Sequence, residues 1–207
     1  MSDVSRQEMT SGAAAVSGSE AEQRAAPRFT LLIRAAKLTC DAGEYLCVVR
    51  DVSETGVSVR LFCPLPADCE LTLEMSNGDR HRLERVWEEP DKAGFRFADP
   101  VDIERIIGSP SRFSKRSIRV NLEVPVMLQM GERTLTARMH NISQQGALVS
   151  CSEHLSIDQR LRLSARGLPT IAAKVRWRGP QQYGLIFEDT FQFGELARLT
   201  AALQLNA

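Results

Sequence analysis

The 207-residue sequence lacks any run of 18 apolar residues, so no membrane-spanning helix is expected. Its first residues lack a basic start followed by an apolar stretch, so we expect no secretory signal. Its five cysteines form no Cys-x-x-Cys pair, which favours reduced thiols over a disulfide framework or a thiolate metal site. These absences together predict a cytoplasmic protein.

The sequence also lacks the common signatures of catalysis. It contains no P-loop and no Gly-x-Gly-x-x-Gly segment leading into a helix. The histidines His81, His140 and His154 are scattered, with no Asp or Cys partners at the spacing of a catalytic triad or a metal site. We therefore expect neither an enzyme, nor a bound metal, nor another cofactor.

The formal net charge is zero, but the two halves differ. Residues 1–110 hold 13 Lys and Arg against 19 Asp and Glu, whereas residues 111–207 hold 13 against 7. Opposite halves can attract each other, or the basic half can face an anionic partner. The basic half lacks interleaved surface aromatics, so nucleic acid is not the expected partner.

The apolar pattern predicts short strands. Residues 1–21 are rich in Ser, Ala, Gly and Glu, and we expect this tail to be disordered. From there to residue 108, short apolar or alternating stretches are separated by turn signals, of which Asn77-Gly78 is the strongest hairpin signal. About six strands and a short helical stretch near residues 101–108 are predicted.

The second half repeats the first. A shift of 90 residues places Asp51 on Asn141, Ser53 on Ser143, Gly56 on Gly146, Trp87 on Trp177, Gly94 on Gly184 and Phe97 on Phe187. Arg28 falls on Arg119 only at a shift of 91, which predicts one residue of slip in the strands between. The pattern predicts an all-β protein of two tandem six-stranded barrels, each followed by a short helix. The predicted domains are residues 22–108 and 115–207, joined by a linker at 109–114.

Two segments of the first half carry groups that suit an anionic guanine nucleotide. Arg24 and Arg28 precede the first strand, and an arginine fork can hold phosphate or stack on a purine. In the segment DVSETG, Asp51 can accept hydrogens from guanine and Ser53 can both donate and accept. Gly56 allows a close backbone approach. Each residue alone also fits a solvated edge or an ordinary turn.

The order and spacing of these motifs resemble the PilZ domain family. The first half contains Arg24-Ala-Ala-Pro-Arg28, then Asp51-Val-Ser53-Glu-Thr-Gly56, then Trp87, Gly94 and Phe97. The resemblance implies a six-stranded barrel with a helix, and binding of cyclic di-GMP. It also implies that Arg24 and Arg28 hold phosphate and guanine, while Asp51 and Ser53 read the base beside Gly56.

The second half departs from the family pattern. Alignment on Arg119 puts Lys115 where Arg24 stands, and lysine keeps the charge but loses the flat fork. Arg116 is adjacent and can substitute for it, while Asn141, Ser143 and Gly146 supply the turn. We therefore expect the first site to bind ligand and the second, Lys115, Arg116, Arg119, Asn141, Ser143 and Gly146, to be weakened or repurposed. Trp87 and Trp177 are expected in the barrel cores, because large rings near strand ends are more often core than ligand platform.

Two functions remain open from the sequence. The first is a cyclic di-GMP receptor without catalysis, which changes conformation on binding and signals to a protein partner. The second is an adaptor that keeps the barrels and acts through protein contacts without a ligand. Pairing of the two barrels within one chain, or of two chains in a homodimer, fits either function.

Overall fold

The computed structural model describes residues 29–107 and 117–205, with side chains described from residue 33 to residue 106 in the first half. The predicted disordered tail and the predicted linker lie outside the described residues. The domain boundaries at 22–108 and 115–207 therefore stay predictions.

The first half forms a closed six-stranded barrel followed by a short helix. Its elements are β1 (Phe29–Cys40), β2 (Gly43–Val52), β3 (Gly56–Arg60), β4 (Leu71–Met75), β5 (Arg80–Glu89), β6 (Lys92–Phe97) and α1 (Ile103–Ile107). The strands are joined in the order β1-β2-β3-β6-β5-β4, and β4 closes the barrel by pairing antiparallel with β1. The predicted hairpin at Asn77-Gly78 joins β4 to β5, with Gly78 at a φ of 91°.

The second half forms the same barrel. Its elements are β7 (Val120–Met130), β8 (Arg133–Ser143), β9 (Gly146–Ser150), β10 (Arg160–Ala165), β11 (Leu168–Arg178), β12 (Gln182–Phe187) and α2 (Phe193–Leu205). The strand order is β7-β8-β9-β12-β11-β10, closed by β10 against β7. The predicted all-β fold of two tandem barrels, each followed by a helix, is confirmed.

The one-residue slip between the repeats lies in a bulge of the first strand. Thr30 faces Asp51 in the first barrel, and Asn121 faces Asn141 in the second, an offset of 91 for the strand that begins each barrel. Beyond the irregularity, Arg34 faces Val49 and Val124 faces Met139, so the offset is 90. The first barrel therefore carries one extra bulged residue between Thr30 and Arg34.

The core of each barrel is filled by apolar side chains from strands in which buried and exposed residues alternate. In β7 every second residue from Val120 to Leu128 is buried, which is the period expected when one strand face points into the barrel. Closure pairs both edges of each sheet, so neither barrel exposes an open strand edge. In α2 the buried side includes Leu196 and Leu203, as expected for an amphipathic helix that packs on the protein.

The two barrels contact each other through a polar joint formed by Lys37 and Glu44 of the first barrel and Arg119 and Gln204 of the second. Lys37 of β1 is 3% exposed, and its Nζ donates to Glu44 Oε2 at 3.0 Å and to the carbonyl oxygen of Arg119 at 3.2 Å. Gln204 of α2 accepts from the backbone N–H of Glu44 at 2.7 Å and donates to its carbonyl oxygen at 2.9 Å. Leu46 packs beside this joint within the core of the second barrel. The two barrels therefore pair within one chain, which is one of the two pairings that the sequence left open.

Neither helix in the described parts of the chain is long and apolar enough to cross a membrane.

Candidate functional site

The DVSETG turn of the first barrel borders a small cleft. The cleft has a volume of about 100 Å³ and is lined by Asp51, Val52, Gly56, Val57, Ser58, Val86, Trp87, Gly94 and Phe95. The strand order explains this neighbourhood, because β3 lies between β2 and β6, and β6 pairs with β5. The β5–β6 register shifts between Arg85 and Trp87, which marks a bulge in β5. The end of β2, the start of β3 and this bulge therefore meet at one place on the barrel wall.

Asp51 is held by the strand beside it. It is half-buried, and its Oδ2 accepts a hydrogen bond from Ser58 Oγ at 2.7 Å. Ser58 is the residue opposite Asp51 in the β2–β3 register. This bond orients the carboxylate and leaves its other oxygen, Oδ1, without a hydrogen bond to any described residue.

The serines of both motifs close their own turns. Ser53 is 6% exposed, and its Oγ accepts from the Gly56 N–H at 3.1 Å and lies 3.3 Å from the Gly56 carbonyl oxygen. Ser143, 5% exposed, donates to the Gly146 carbonyl oxygen at 3.1 Å. Such short polar side chains commonly stabilise turns in this way. Ser53 does not line the first cleft, whereas Ser143 lines the corresponding cleft of the second barrel.

Gly56 and Gly146 are required by a close neighbouring strand. A Cβ on Gly56 would lie 3.0 Å from the Phe95 carbonyl oxygen, and one on Gly146 would lie 2.1 Å from the Leu185 carbonyl oxygen. Neither glycine has a positive φ. The need for glycine at the end of this motif therefore comes from the approach of the β6 or β12 backbone.

The expectation that Trp87 and Trp177 lie in the barrel cores is wrong. Trp87 is 42% exposed and Trp177 is 44% exposed, and each lines a cleft. Each ring lies against the glycine opposite it, because a Cβ on Gly94 or Gly184 would be 2.0 Å from the indole Nε1. The spacing from Trp to Gly in both halves reflects this contact on the outer wall, where a glycine is the residue that leaves room for the ring.

The second barrel has a larger cleft at the same place. Its volume is about 260 Å³, and it is lined by Ser117, Arg119, Ser143, Gln145, Gly146, Ala147, Leu148, Arg176, Trp177, Gly184, Leu185 and Ile186. Of the residues predicted for the second site, the structure brings Arg119, Ser143 and Gly146 together here. Arg176 was missed from the sequence, where only its place beside Trp177 could have indicated it.

Asn141 does not line this cleft. It is the counterpart of Asp51, but Leu148 faces it where Ser58 faces Asp51, so the facing residue carries no hydroxyl. Its Oδ1 is buried and has no hydrogen-bond partner among the described residues. The two motif turns therefore have similar backbones, but a hydroxyl of the neighbouring strand holds Asp51 and none holds Asn141 Oδ1 among the described residues.

The other predicted cations lie outside the described residues. These are Arg24 and Arg28 of the first site and Lys115 and Arg116 of the second. The strand register nonetheless locates the chain that follows them, since Phe29 faces Val52 and Val120 faces Ile142. In each barrel the first strand therefore begins beside the residue that precedes the motif serine.

Cys47, Cys63 and Cys69 of the first barrel are poor nucleophiles. Burial raises the pKa of Cys47 and Cys63, and burial, followed by a hydrogen bond with Cys40, raises the pKa of Cys69 to about 11. A thiol with a raised pKa stays protonated at neutral pH, and the thiolate is the reactive form. Among the described residues no group of three or more His, Cys, Asp and Glu side chains is arranged to hold a metal ion.

Comparison with solved structures finds similar proteins at low identity. YcgR of Escherichia coli in complex with c-di-GMP is 13% identical, with a TM-score of 0.36 over 85% of this chain and 87% of that one. PlzA of Borreliella burgdorferi in complex with c-di-GMP is 12% identical, with a TM-score of 0.34 over 86% and 93%. The inhibitor of motility MotI/DgrA of Bacillus subtilis is 17% identical, with a TM-score of 0.36 over 84% and 97%.

No curated protein matches the sequence. The family model of the PilZ domain matches twice, over residues 22–108 and 111–203, and together these segments cover most of the chain. Each match contains one barrel, one turn of the Asp/Asn-x-Ser-x-x-Gly type and one exposed tryptophan beside it. The chain belongs to the PilZ domain family, with one PilZ domain in each half.

Proposed function

We propose that this protein is a non-catalytic receptor for cyclic di-GMP, which acts in the cytoplasm and signals to a protein partner. The observation that carries the proposal is the meeting of Asp51, Gly56 and Trp87 around one cleft of a PilZ barrel. A carboxylate that accepts hydrogens and an exposed indole suit a guanine base. The solved structures of YcgR and PlzA with c-di-GMP are consistent with this ligand class for the family.

The cations of the first site come from the segment that enters β1. Arg28 directly precedes Phe29, whose backbone faces Val52 at the end of the DVSETG strand. A side chain as long as arginine can reach the cleft from there and hold a phosphate through two parallel hydrogen bonds. Arg24, four residues earlier, supplies the second cation, so that Arg24, Arg28, Asp51, Ser53 and Gly56 form the first site.

Within this site the residues have different roles. Asp51 accepts hydrogen bonds from the guanine base, and Ser58 holds the Asp51 carboxylate in place. Ser53 acts through the turn that it closes rather than through the ligand, and Gly56 keeps β3 close to β6. The ligand draws the segment that carries Arg24 and Arg28 onto the barrel, and this ordering step changes the surface that a protein partner meets.

Titration calorimetry with cyclic di-GMP tests this function. Wild type should bind, and Arg28→Ala should weaken binding at the first site by about tenfold or more, because a hydrogen bond to a charged group contributes about 1.5–3 kcal/mol. Arg82→Ala is the matched control, since Arg82 is an exposed arginine of the same barrel that does not line this cleft. Absence of heat with wild type, or equal affinity of Arg28→Ala and Arg82→Ala, would overturn the proposal.

A further inference from the structure

The cleft of the second barrel contains two arginines, and the described part of the first cleft contains none. Arg119 reaches it from the segment before β7, and Arg176 reaches it from β11. No Asp or Glu lines this cleft, whereas Asp51 lines the first. The second cleft therefore has the charge that attracts an anion.

A β-bulge is the reason that Arg176 belongs to the cleft. In the β11–β12 register Val175 faces Leu185 and Trp177 faces Gly184, so Arg176 is the extra residue of the bulge. A bulge interrupts the alternation of side chains, and consecutive residues can then share a face. Arg176 and Trp177 are both exposed and both line the cleft.

The first barrel has the same bulge without the arginine. Arg85 faces Phe95 and Trp87 faces Gly94, so Val86 occupies the position of Arg176 and is 59% exposed. The duplicated unit thus provides the position in both halves, and only the second half places a cation there. This is the half in which Lys115 replaces the first arginine of the RxxxR motif.

The two guanidinium groups have no counter-ion in the described structure. Three other arginines of this barrel form ion pairs, Arg133 with Glu153 at 2.6 Å, Arg138 with Glu123 at 3.8 Å and Arg160 with Glu188 at 3.8 Å, whereas exposed arginines such as Arg162 form none with a described residue. Neither Arg119 nor Arg176 forms an ion pair with any described residue, although both border the same cavity. An unneutralised pair of cations beside a cavity of about 260 Å³ fits an anionic ligand better than a structural role.

Trp177 offers a stacking surface for a base, beside the two arginines that attract an anion. The Trp177 ring packs against Gly184 and approaches Gly179, yet 44% of the residue stays exposed. An exposed indole held by its neighbours is a surface on which a flat base can stack, and such stacking contributes about 1–3 kcal/mol per base. Phosphate and a purine are therefore the chemical groups that this cleft can hold together.

We propose that Arg176, with Arg119 and Trp177, forms a second nucleotide site in which Arg176 takes the place of the arginine that the second motif lacks. The ligand is a purine nucleotide with phosphodiester groups, and the proposal rests on the proposed function in taking cyclic di-GMP as that ligand. Arg119 and Arg176 bind its phosphates from two sides, and Trp177 stacks on one base.

The two tryptophans of the chain permit a test that resolves the two sites. In Trp87→Phe the indole fluorescence comes from Trp177 alone, and in Trp177→Phe it comes from Trp87 alone. Titration of the full-length Trp87→Phe protein with cyclic di-GMP should quench the Trp177 emission to saturation. Addition of Arg176→Ala should raise the Kd of this response by about tenfold or more. Arg176→Lys should have a smaller effect, because lysine keeps the charge and loses the fork.

Arg162→Ala in the Trp87→Phe background is the matched control. Arg162 is an exposed arginine of β10 in the same barrel, and it does not line the cleft. Thermal unfolding followed by circular dichroism checks that each variant is folded, and Arg176→Lys serves in its place if Arg176→Ala is not. The reciprocal change, Val86→Arg in the Trp177→Phe background, should tighten the response of Trp87.

The outcomes separate this inference from the proposed function. A response of Trp87 with no response of Trp177 would overturn the second site and leave the receptor function standing. Equal Kd values for the Arg176 and Arg162 variants would remove Arg176 from the site. No change in the emission of either tryptophan, together with no heat in calorimetry, would overturn the receptor function and this inference with it.

Discussion

Glu44 of the first barrel accepts two hydrogen bonds from Asn121 of the second, from its backbone N–H at 2.7 Å and from its side-chain Nδ2 at 2.9 Å. The same carboxylate pairs with the buried Lys37 at 3.0 Å. Asn121 faces Asn141 in the β7–β8 register and follows Arg119 by two residues. The joint between the barrels therefore involves the start of β7, two residues after Arg119 of the second site.

Replacement of Glu44 should weaken the joint between the barrels. Glu44→Gln leaves the buried ammonium of Lys37 with Glu74 as its one carboxylate among the described residues. We expect a loss of about 2 kcal/mol in the free energy of unfolding, measured by urea titration, because a partly buried charge pair loses one partner. Glu84→Gln, which removes an exposed pair with Arg96 at 3.9 Å, is the control and should cost less than about 0.5 kcal/mol. Equal losses in the two variants would show that the Glu44 carboxylate contributes no more to stability than an exposed ion pair does.

Glu74 should contribute a stability that disappears in acid. Burial alone raises the pKa of this carboxyl, but hydrogen bonds and charge from Arg80 and Lys37 outweigh burial and lower it. The unfolded chain, with the higher pKa, therefore binds more protons in acid, and stability rises with pH through this range. The difference in urea midpoint between wild type and Glu74→Gln should be full at pH 7 and should shrink as the pH falls below about 4.3. A difference that stays constant down to pH 3 would contradict this linkage. Glu89→Gln, from an exposed pair with Lys92, should differ little from wild type throughout.

Gly184→Ala should displace the Trp177 ring. The added Cβ would lie 2.0 Å from the indole Nε1, so the ring must leave its place on β12. In the Trp87→Phe background, we expect the near-ultraviolet circular dichroism of Trp177 to weaken and its emission to shift to the red. Gly179→Ala is the matched control, because its Cβ would make an ordinary contact of 3.7 Å with the same ring. An unchanged spectrum in Gly184→Ala would mean that the ring is not held by this glycine.

Gly146→Ala should destabilise the protein more than Gly56→Ala. The added Cβ would lie 2.1 Å from the Leu185 carbonyl oxygen in the first variant and 3.0 Å from the Phe95 carbonyl oxygen in the second. Because the obstacle in each case is backbone, the strand itself must shift, and we expect a cost of about 2–3 kcal/mol for Gly146→Ala and about 1 kcal/mol for Gly56→Ala. Chemical denaturation of the two variants beside wild type measures both costs. Equal costs, or the reverse order, would contradict the closer approach of the β12 backbone to Gly146.

Much of the fold follows from local pattern. Alternating apolar residues predict the strands, and Asn77-Gly78 predicts the hairpin, because each depends on residues close together in the chain. The shift of 90 predicts that both halves share one architecture, and the slip to 91 at Arg119 is accounted for by the bulge between Thr30 and Arg34. The turn motifs were found for the same reason, since their residues are six apart or fewer.

The sites were predicted less completely. Arg119, Ser143 and Gly146 meet as expected, whereas Arg176 enters the second cleft from a strand more than 50 residues away in sequence from Arg119. Its participation depends on a bulge, and a bulge is a property of the pairing between two strands. Ser58 was missed likewise, because its contact with Asp51 arises only when β2 and β3 are in register.

The sequence by itself determined the duplication, the strand content, the turn motifs and the family to which both halves belong. Tertiary structure alone decided that Trp87 and Trp177 lie on the outer wall, that Asn141 does not line its cleft, and that Lys37 is buried between the barrels. The physical reason is that strand register and barrel closure determine which side chains are buried and which residues contact each other. Register and closure join residues far apart in the chain, and no local pattern specifies which of them meet.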